Sequence, residues 1–217
     1  METPLSLADI RKNYSLKSLT KDAVEKDPLR QFQIWMQEAL TAQVEEATAM
    51  VLSTADAQGK PSARVVLLKA LEEEGFVFYT NYESRKGQQL AQNPYASLTF
   101  FWPSLERQVR IEGQIEKISE EKSDTYFWSR PRGSQIGAWS SPQSQPIEDR
   151  FVLEDLEQQY TSQFGQLEKI PRPPHWGGYV VKPTYIEFWQ GRQNRLHDRL
   201  VYEQNTAHTW HMQRLAP

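Results

Sequence analysis

The feature that most constrains the fold of this chain is a succession of short apolar segments, each about as long as one β-strand and bounded by turn residues. The segments Ala49–Thr54 and Pro61–Leu71 flank the turn-forming stretch Ala55–Lys60, which predicts a hairpin. Further strands are predicted at Phe76–Thr80, Tyr95–Trp102, Arg107–Ile118, Gly178–Val181, Tyr185–Trp189, Arg199–Glu203 and Thr209–Gln213. Many short strands with helices between them favour a mainly β fold with flanking helices, built as a β-barrel.

Helical periodicity and capping residues predict helices between these strands. The pair Asp27-Pro28 is a typical helix start, and apolar side chains recur at helical spacing from there to about Ala42. The other helices are predicted at Ser84–Gln92, Ser119–Ser129 and Ile147–Phe164. Residues 130–133 are predicted to end the third helix, and residues 140–146 to form an ordered loop. Residues 1–26 are expected to be a flexible N-terminal arm, and residues 27–217 a single domain with helical insertions.

Composition excludes several classes of protein. The chain has 217 residues and a formal net charge of -3, so it lacks the general basic field of a nucleic-acid-binding protein. It contains no cysteine, which excludes disulfides, thiolate metal sites and cysteine nucleophiles. The N-terminus lacks the apolar core of a signal peptide, and the apolar runs are too short to span a bilayer. We therefore expect a cytoplasmic protein that binds neither nucleic acid nor membrane.

The segment 189–199 concentrates charged and aromatic side chains around one glycine. Arg195, His197 and Arg199 alternate, so on a strand all three would project from the same face. A cationic face beside the indole of Trp189 suits a planar anionic ligand, because guanidinium groups bind phosphate and stack on rings. A solvated strand edge that carries charges is the alternative interpretation.

The most specific physical signal lies at the start of the predicted helix 84–92. Arg85 and Lys86 follow the capping residue Ser84, although cations are unfavourable near the positive end of a helix dipole. A phosphate bound at that N-terminus would outweigh the repulsion. Upstream, the strand that runs from Arg64 to Lys69 could contact an anion with either end, but charged strand ends are also common on solvated strands.

Two groups of polar residues give weaker signals of ligand binding than these cations do. Gln108 places an amide on a strand, and an amide offers the donor and the acceptor that the edge of a flavin or pyrimidine requires. Tyr126 and Arg130 lie four residues apart on one helix face, and Ser134 follows the end of that helix, where its hydroxyl could help to hold a phosphate. Arginines that complement the dipole of a helix C-terminus are the structural alternative.

Several catalytic classes lack their motifs in this chain. We find no glycine-rich phosphate loop, no serine in a nucleophile elbow, and no metal-ligand spacing among the four histidines. An organic cofactor is therefore expected to carry the chemistry, while the protein supplies anion sites and orientation.

Taken together, these segments resemble the pyridoxamine 5′-phosphate oxidase family over residues 11–217. The motifs that carry the resemblance are RVVLLK at 64–69, YTN at 79–81, SRK at 84–86, LERQV at 105–109, SRPRGSQIGAW at 129–139, FWQG at 188–191, RLHDR at 195–199 and RLAP at 214–217. The resemblance implies an FMN-binding split β-barrel that forms a homodimer with FMN at the interface. It also implies oxidation of pyridoxamine or pyridoxine 5′-phosphate to pyridoxal 5′-phosphate, with O2 as oxidant and with hydrogen peroxide, and ammonia from the amine, as products.

The resemblance also assigns residues by position. The FMN contacts, partly from the other subunit, would be Arg64, Val65, Val66, Leu67, Leu68, Lys69, Tyr79, Thr80, Arg85, Lys86, Gln108, Gln143, Ser144, Trp189 and Arg199. The substrate phosphate would lie against Lys69, Tyr126, Arg130 and Ser134. Arg195 and His197 would flank the pyridine ring as catalytic residues, and Arg11 with Tyr14 would form a lid. Lys17-Ser18 and Arg192 stand where the family often has glycines.

Three other functions compete with this one. A related flavin oxidase could act on another substrate, such as a phenazine precursor, but the predicted second phosphate site argues against it. A flavin or pyridoxal phosphate carrier without turnover would not need Arg195 and His197 beside a second ligand. A polyanion-binding barrel would require a broad basic surface, which the net charge of -3 disfavours.

Overall fold

The computed structural model describes residues 13–217, so the predicted lid residue Arg11 lies outside the described residues. The helices are α1 (Pro28–Thr41), α2 (Arg85–Gln92), α3 (Glu120–Ser129), α4 (Arg132–Ser140) and α5 (Phe151–Phe164). The strands are β1 (Ala49–Ala55), β2 (Pro61–Leu67), β3 (Ala70–Glu72), β4 (Gly75–Asn81), β5 (Tyr95–Trp102), β6 (Arg107–Lys117), β7 (Trp176–Gln190), β8 (Asp198–Gln204) and β9 (Trp210–Leu215). The mainly β class with flanking helices is confirmed.

The strands form one sheet in the order β2-β1-β5-β6-β7-β4-β3, and β8 pairs with β7 and β9. The β1–β2, β3–β4, β4–β7, β7–β8 and β8–β9 pairs are antiparallel. The register of the first hairpin sets Leu52 opposite Arg64 and Thr54 opposite Ser62. Strand β2 ends the sheet order, and its exposed side chains alternate with half-buried ones.

The chain divides into two compact units. One comprises the described residues up to 47 together with residues 99–111 and 185–217; the other comprises residues 48–98 and 112–184. In the first unit, Phe32 of α1 packs on Phe100 with ring centroids 5.0 Å apart, and Trp35 packs edge-on against Phe188 at 5.1 Å. The carboxylate of Asp27 accepts a hydrogen bond from the Leu29 N–H and caps α1, as its sequence predicts.

The core of the second unit includes a cluster under its helices. Its buried members are Phe127, Ile136, Phe164, Ile170 and Trp176. These side chains come from α3, α4, α5, the segment that leads into β7 and the first residue of β7. The cluster therefore fixes the end of α3 and the start of α4 against the first residues of β7.

Three predicted elements differ from the structure. The strand predicted at 61–71 is two strands, because the Leu68 N–H bonds to the Thr48 carbonyl whereas the Lys69 N–H bonds to that of Val77, so the chain changes its partner there. The strands predicted at 178–181 and 185–189 are one strand, β7, which continues through Pro183. The helix predicted from Ile147 begins at Phe151.

Helix α4 is absent from the sequence-based prediction, which placed a break at 130–133 and a loop from 140. The break is shorter than predicted, since α3 ends at Ser129 and α4 begins at Arg132. Pro131 occupies the N-cap position of α4, where its missing N–H costs no helical hydrogen bond. Gly133 and Gly137 lower the helix propensity of this segment, which is why its sequence resembles a loop.

Candidate functional site

A cavity of about 700 Å³ lies in the second unit. Strands β2 and β4, the N-terminus of α2, and the α3–α4 junction supply most of its wall. The lining residues are Arg64, Val65, Val66, Leu67, Lys69, Tyr79, Thr80, Asn81, Lys86, Tyr126, Arg130, Pro131, Ser134, Gln143 and Trp176. Twelve residues that the sequence assigned to FMN or to the substrate are thus brought together around one space.

Arg64 is held by the β1–β2 hairpin. Its Nη1 donates to the Leu52 carbonyl at 3.0 Å and to the Thr54 hydroxyl at 2.7 Å, and its Nη2 donates to the Ser62 hydroxyl. Burial and then the nearby charge of Arg85 lower the pKa of this guanidinium. The charges of Arg64 and Arg85 therefore lie close together beside the cavity, an arrangement that is electrostatically unfavourable without an anion.

Lys86 adds a third cation at the start of α2. The Ser84 hydroxyl caps this helix by accepting from the Gly87 N–H, which confirms the predicted N-cap. The Lys86 Nζ donates to Thr80 Oγ1 at 3.2 Å and to Gln143 Oε1 at 2.8 Å. Burial, and secondarily Arg64, lower the pKa of Lys86 to about 8.

No carboxylate lies in the first turn of α2 to balance these charges. Converging cations at a helix N-terminus create a site for an anion, because the positive end of the helix and the guanidinium and ammonium groups attract it together. This part of the cavity therefore fits a phosphate.

A stack of aromatic rings forms another wall. Tyr79 stacks on Tyr126 with centroids 3.8 Å apart and planes inclined by 15°, and on Trp176 at 5.5 Å and 12°. Burial, and then the neighbouring Tyr126, raise the pKa of Tyr79 to about 12, so its hydroxyl stays neutral and can donate a hydrogen bond at physiological pH. Trp176 was not predicted as a site residue; its only signal was an indole directly before the Gly177-Gly178 pair.

Arg130 lies at the end of α3, with its guanidinium carbon 4.6 Å from the ring centroid of Trp176. Its Nη1 atom is buried and has no hydrogen-bond partner among the described residues. Burial lowers the pKa of Arg130, and the adjacent Tyr126 partly opposes that effect. A buried N–H without an acceptor is costly, which makes Arg130 Nη1 a candidate donor to an anionic ligand.

The two predicted phosphate sites therefore have separate cations in one cavity. Arg64 and Lys86 converge beside α2, whereas Arg130 lies at the α3–α4 junction with Ser134 in the first turn of α4. The Ser134 side chain is exposed, and its N–H bonds to the Pro131 carbonyl.

Four further residues that the family resemblance assigns to FMN do not line the cavity. Leu68 is buried and does not line the cavity, and Arg85 is exposed on the first turn of α2. Ser144 is an exposed loop residue with a positive φ of 71°, and Gln108 lies on β6, half-buried. These four positions are thus located, but their contacts with a cofactor stay predictions.

The C-terminal residues belong to the first unit, and one prediction about them is wrong. Arg195 ends a 3-10 turn at Gln193–Arg195, and β8 begins only at Asp198, so Arg195, His197 and Arg199 do not share a strand face. Asn194 and Arg195 have φ values of 55° and 61°, a left-handed conformation that strand alternation excludes.

His197 instead belongs to an aromatic cluster with Tyr14 and Trp189. The His197 ring lies 4.6 Å from the Trp189 ring and 5.7 Å from that of Tyr14. Its Nδ1 accepts a hydrogen bond from the Arg192 N–H at 3.1 Å. Burial, and then the charge of Arg195, lower the pKa of His197, so the neutral imidazole is favoured with Nε2 as its proton-bearing atom.

Arg199 is paired with a carboxylate that sequence reasoning did not single out. Its Nε and Nη2 donate to the two carboxylate oxygens of Glu187 at 2.8 and 2.9 Å. Although burial raises the pKa of Glu187, hydrogen bonds from Arg199 and Tyr185 bring it below its usual value. The pair holds the Arg199 guanidinium in a fixed plane.

Two further observations bear on the class of site. Among residues 13–217 no three histidine, aspartate or glutamate side chains are grouped so that they could hold a metal ion. No helix in the same part of the chain is long and apolar enough to cross a membrane.

Comparison with known proteins identifies close relatives. Residues 36–164 match the family model described as pyridoxamine 5′-phosphate oxidase, and residues 176–217 match the C-terminal dimerisation region of pyridoxine 5′-phosphate oxidase. The pyridoxine/pyridoxamine 5′-phosphate oxidase of Paraburkholderia phymatum is 58% identical over 212 residues, which cover 98% of this chain and 99% of the relative. That of Salinibacter ruber is 55% identical, covering 97% and 99%.

Solved structures confirm the predicted split-barrel fold. PhzG from Burkholderia lata, solved with tetrahydrophenazine-1-carboxylic acid, matches with a TM-score of 0.87 and 30% identity, covering 94% of this chain and 100% of that one. An FMN binding protein from Nostoc punctiforme, described as related to pyridoxamine 5′-phosphate oxidase, matches with a TM-score of 0.70 and 17% identity, covering 89% and 100%. The second similarity concerns the fold alone.

Proposed function

Because the chain belongs to the pyridoxamine 5′-phosphate oxidase family, we propose that it oxidises pyridoxamine and pyridoxine 5′-phosphates to pyridoxal 5′-phosphate with FMN as cofactor. The observation that carries the proposal is the buried Nη1 of Arg130, which has no hydrogen-bond partner among residues 13–217, in a cavity that already has cations at Arg64 and Lys86. One anion site would hold the FMN phosphate and the other the phosphate of the substrate. The cytoplasm is the location we propose for this reaction.

The residues that would hold FMN fit its chemistry. Arg64 and Lys86 would bind its phosphate at the N-terminus of α2, and the backbone of β2 would run beside its ring. When bound, FMN would supply a two-electron acceptor for the C4′ carbon of the substrate, with O2 as the final oxidant and hydrogen peroxide as its product. The Thr80 and Gln143 oxygens that accept from Lys86 orient its ammonium group toward the cavity.

The substrate would be positioned by the α3–α4 junction and the C-terminal residues. Arg130, with Lys69, Tyr126 and Ser134, would hold its phosphate, which gives Arg130 Nη1 the acceptor it lacks. Arg195 and His197 would flank its pyridine ring, with Arg195 holding the ring in place and His197 donating through Nε2 or moving a proton. Such groups accelerate the reaction by positioning and by charge stabilisation rather than by strong base catalysis.

We also propose that the protein forms a homodimer. Residues 176–217 match a dimerisation region, and β2 presents Val65 and Leu67 with exposed fractions of 66% and 36% at the end of the sheet order. An edge strand with exposed apolar side chains is a ready surface for a second copy. Gln108, Gln143, Ser144, Trp189 and Arg199 would then complete the FMN sites, partly across the interface.

Oxidation of a phenazine precursor is the second candidate, since PhzG shares this fold at 30% identity. Arg130 favours the B6 phosphates over this candidate, because a phosphate monoester carries more charge and more acceptor oxygens than a carboxylate. The test is a comparison of kcat/KM for both B6 phosphates, unphosphorylated pyridoxine and tetrahydrophenazine-1-carboxylic acid, on FMN-loaded protein. We expect the phosphorylated B6 substrates to lead by more than a hundredfold; a preference for the phenazine acid would overturn the proposal.

A further inference from the structure

The cavity cation Arg64 is supported by a hydrogen-bonded group that no site assignment includes. Gln89 lies on α2, one turn after Lys86, and is only 5% exposed. Its Oε1 accepts from the Thr54 hydroxyl at 2.6 Å and from the Ser62 hydroxyl at 2.7 Å. These are the same two hydroxyls that accept from Arg64.

The direction of these hydrogen bonds is set by chemistry. A guanidinium group only donates, so the Thr54 and Ser62 oxygens accept from Arg64 and their own hydrogens need another acceptor. The single amide oxygen of Gln89 receives both hydrogens. The bonds therefore run in one direction, from Arg64 through two hydroxyls to Gln89, and each bond polarises the next.

We propose that Gln89 is a positioning residue that aims the Arg64 guanidinium at the cofactor phosphate through Thr54 and Ser62, an inference that rests on the proposed function. Arg64 Nη1 is occupied by the Leu52 and Ser62 carbonyls and by the Thr54 hydroxyl, and one Nη2 hydrogen by the Ser62 hydroxyl. Within the described part of the chain, this leaves the Nε–H and the second Nη2–H for a bidentate contact with a phosphate. Gln89 thus acts on the anion without touching it.

The pairing of β1 with β2 makes this arrangement possible. Thr54 lies opposite Ser62, and Leu52 opposite Arg64, so the groups that hold Arg64 come from two pairs of one hairpin that are separated by a single pair. Helix α2 supplies Gln89 from a different element. The hairpin side of the phosphate site is thereby connected to the helix that carries Lys86.

The test compares FMN with riboflavin, which lacks the phosphate, by quenching of flavin fluorescence on apoprotein. Gln89→Met keeps the side-chain length and removes the acceptor. We expect it to weaken FMN binding about tenfold while it leaves riboflavin binding within about twofold. Gln88→Met, at an exposed position of the same helix, is the matched control and should change neither affinity.

A double-mutant cycle that measures only FMN affinity tests whether Gln89 acts through Arg64. If Gln89 acts through Arg64, Gln89→Met should have little further effect on FMN affinity in an Arg64→Met background. Thr54→Val, which removes one hydroxyl at constant shape, should reproduce part of the selective loss. Equal losses for FMN and riboflavin, no loss, or full additivity in the cycle would overturn the role of Gln89. A wild-type protein that fails to bind FMN would instead overturn the proposed function itself.

Discussion

Two arginines that contact Trp176, one through its backbone carbonyl and one through its ring, differ in how their charge is satisfied. Arg172 donates to the Asp124 carboxylate and to the Trp176 carbonyl, and its side chain is 11% exposed. Arg130 lies over the Trp176 ring, but its buried Nη1 has no acceptor in the part of the chain that the structure describes. We interpret the first as structural and the second as reserved for a ligand, because a protein that needed Arg130 only for stability would pair it.

Substitution of each arginine by methionine separates these roles. Arg172→Met should lower the free energy of unfolding by about 2–4 kcal/mol, since it removes the hydrogen bonds of Arg172 to Asp124 and to two carbonyl groups. Arg130→Met should leave it within about 1 kcal/mol of wild type, because the lost ring contact and the removed unpaired N–H offset each other. Arg130→Met should also raise the KM for pyridoxine 5′-phosphate at least tenfold. Urea denaturation and steady-state kinetics measure both; a large loss of stability in Arg130→Met would contradict the assignment.

The lowered pKa of Lys86 leads to a prediction about how the affinity for FMN depends on pH. With a pKa of about 8 in the free protein, Lys86 is mostly charged at pH 7 and mostly neutral at pH 9. A bound phosphate favours the charged form and raises this pKa, so the affinity is greatest below pH 8 and falls as the pH rises through that value.

We therefore expect the Kd for FMN to rise severalfold between pH 7.5 and pH 9, measured by fluorescence quenching. Lys86→Arg keeps its charge throughout this range and should show a flatter profile. Riboflavin should show little change in either protein. A wild-type profile as flat as that of Lys86→Arg would show that Lys86 does not bind the phosphate.

At the scale of elements, the segment that follows the undescribed N-terminus is tied to the first unit by one buried side chain. Glu106 is 3% exposed, and its Oε2 accepts from the Ser15 N–H at 2.8 Å and from the Leu16 N–H at 3.0 Å. Its own carbonyl accepts from the Gly191 N–H. These bonds hold Tyr14 edge-on against Trp189.

Glu106→Ala should therefore speed hydrogen exchange at the Ser15 and Leu16 amides by more than tenfold. Glu106→Gln, which keeps an acceptor oxygen, should restore most of the protection. The Leu19 amide, which donates to Asp198, is the internal control and should exchange as in wild type. Unchanged exchange at residues 15 and 16 would show that Glu106 does not hold this segment.

The sequence predicts elements whose signals are local and misses those that depend on partners. Helix α2 with its Ser84 cap was predicted within one residue, because the cap and the periodicity lie in the element itself. The continuity of β7 through Pro183 and the left-handed turn before His197 depend on neighbouring strands and loops. For Arg130 the sequence offers only the weak signal of Tyr126 four residues earlier, and the pairing of Arg172 with Asp124 is a tertiary contact that has no local signal.

At the scale of the whole molecule, the proposed dimer predicts a solution mass twice that of one chain. Val65→Asp places a charge on the exposed face of β2 and should yield monomers with weakened FMN affinity. Leu167→Asp, at a position 44% exposed and outside β2, should stay dimeric. Sedimentation velocity distinguishes these outcomes. A Val65→Asp variant that stays dimeric would show that β2 does not form the interface.

The central claim is that this protein oxidises a phosphorylated B6 vitamer through bound FMN. The most direct measurement is pyridoxal 5′-phosphate formation from pyridoxine 5′-phosphate by fully FMN-loaded protein, with O2 consumption followed in the same vessel. We predict one O2 consumed for each pyridoxal 5′-phosphate formed, with no sustained turnover when O2 is removed or when pyridoxine lacks its phosphate. Loaded protein that forms no pyridoxal 5′-phosphate from either the alcohol or the amine would contradict the account.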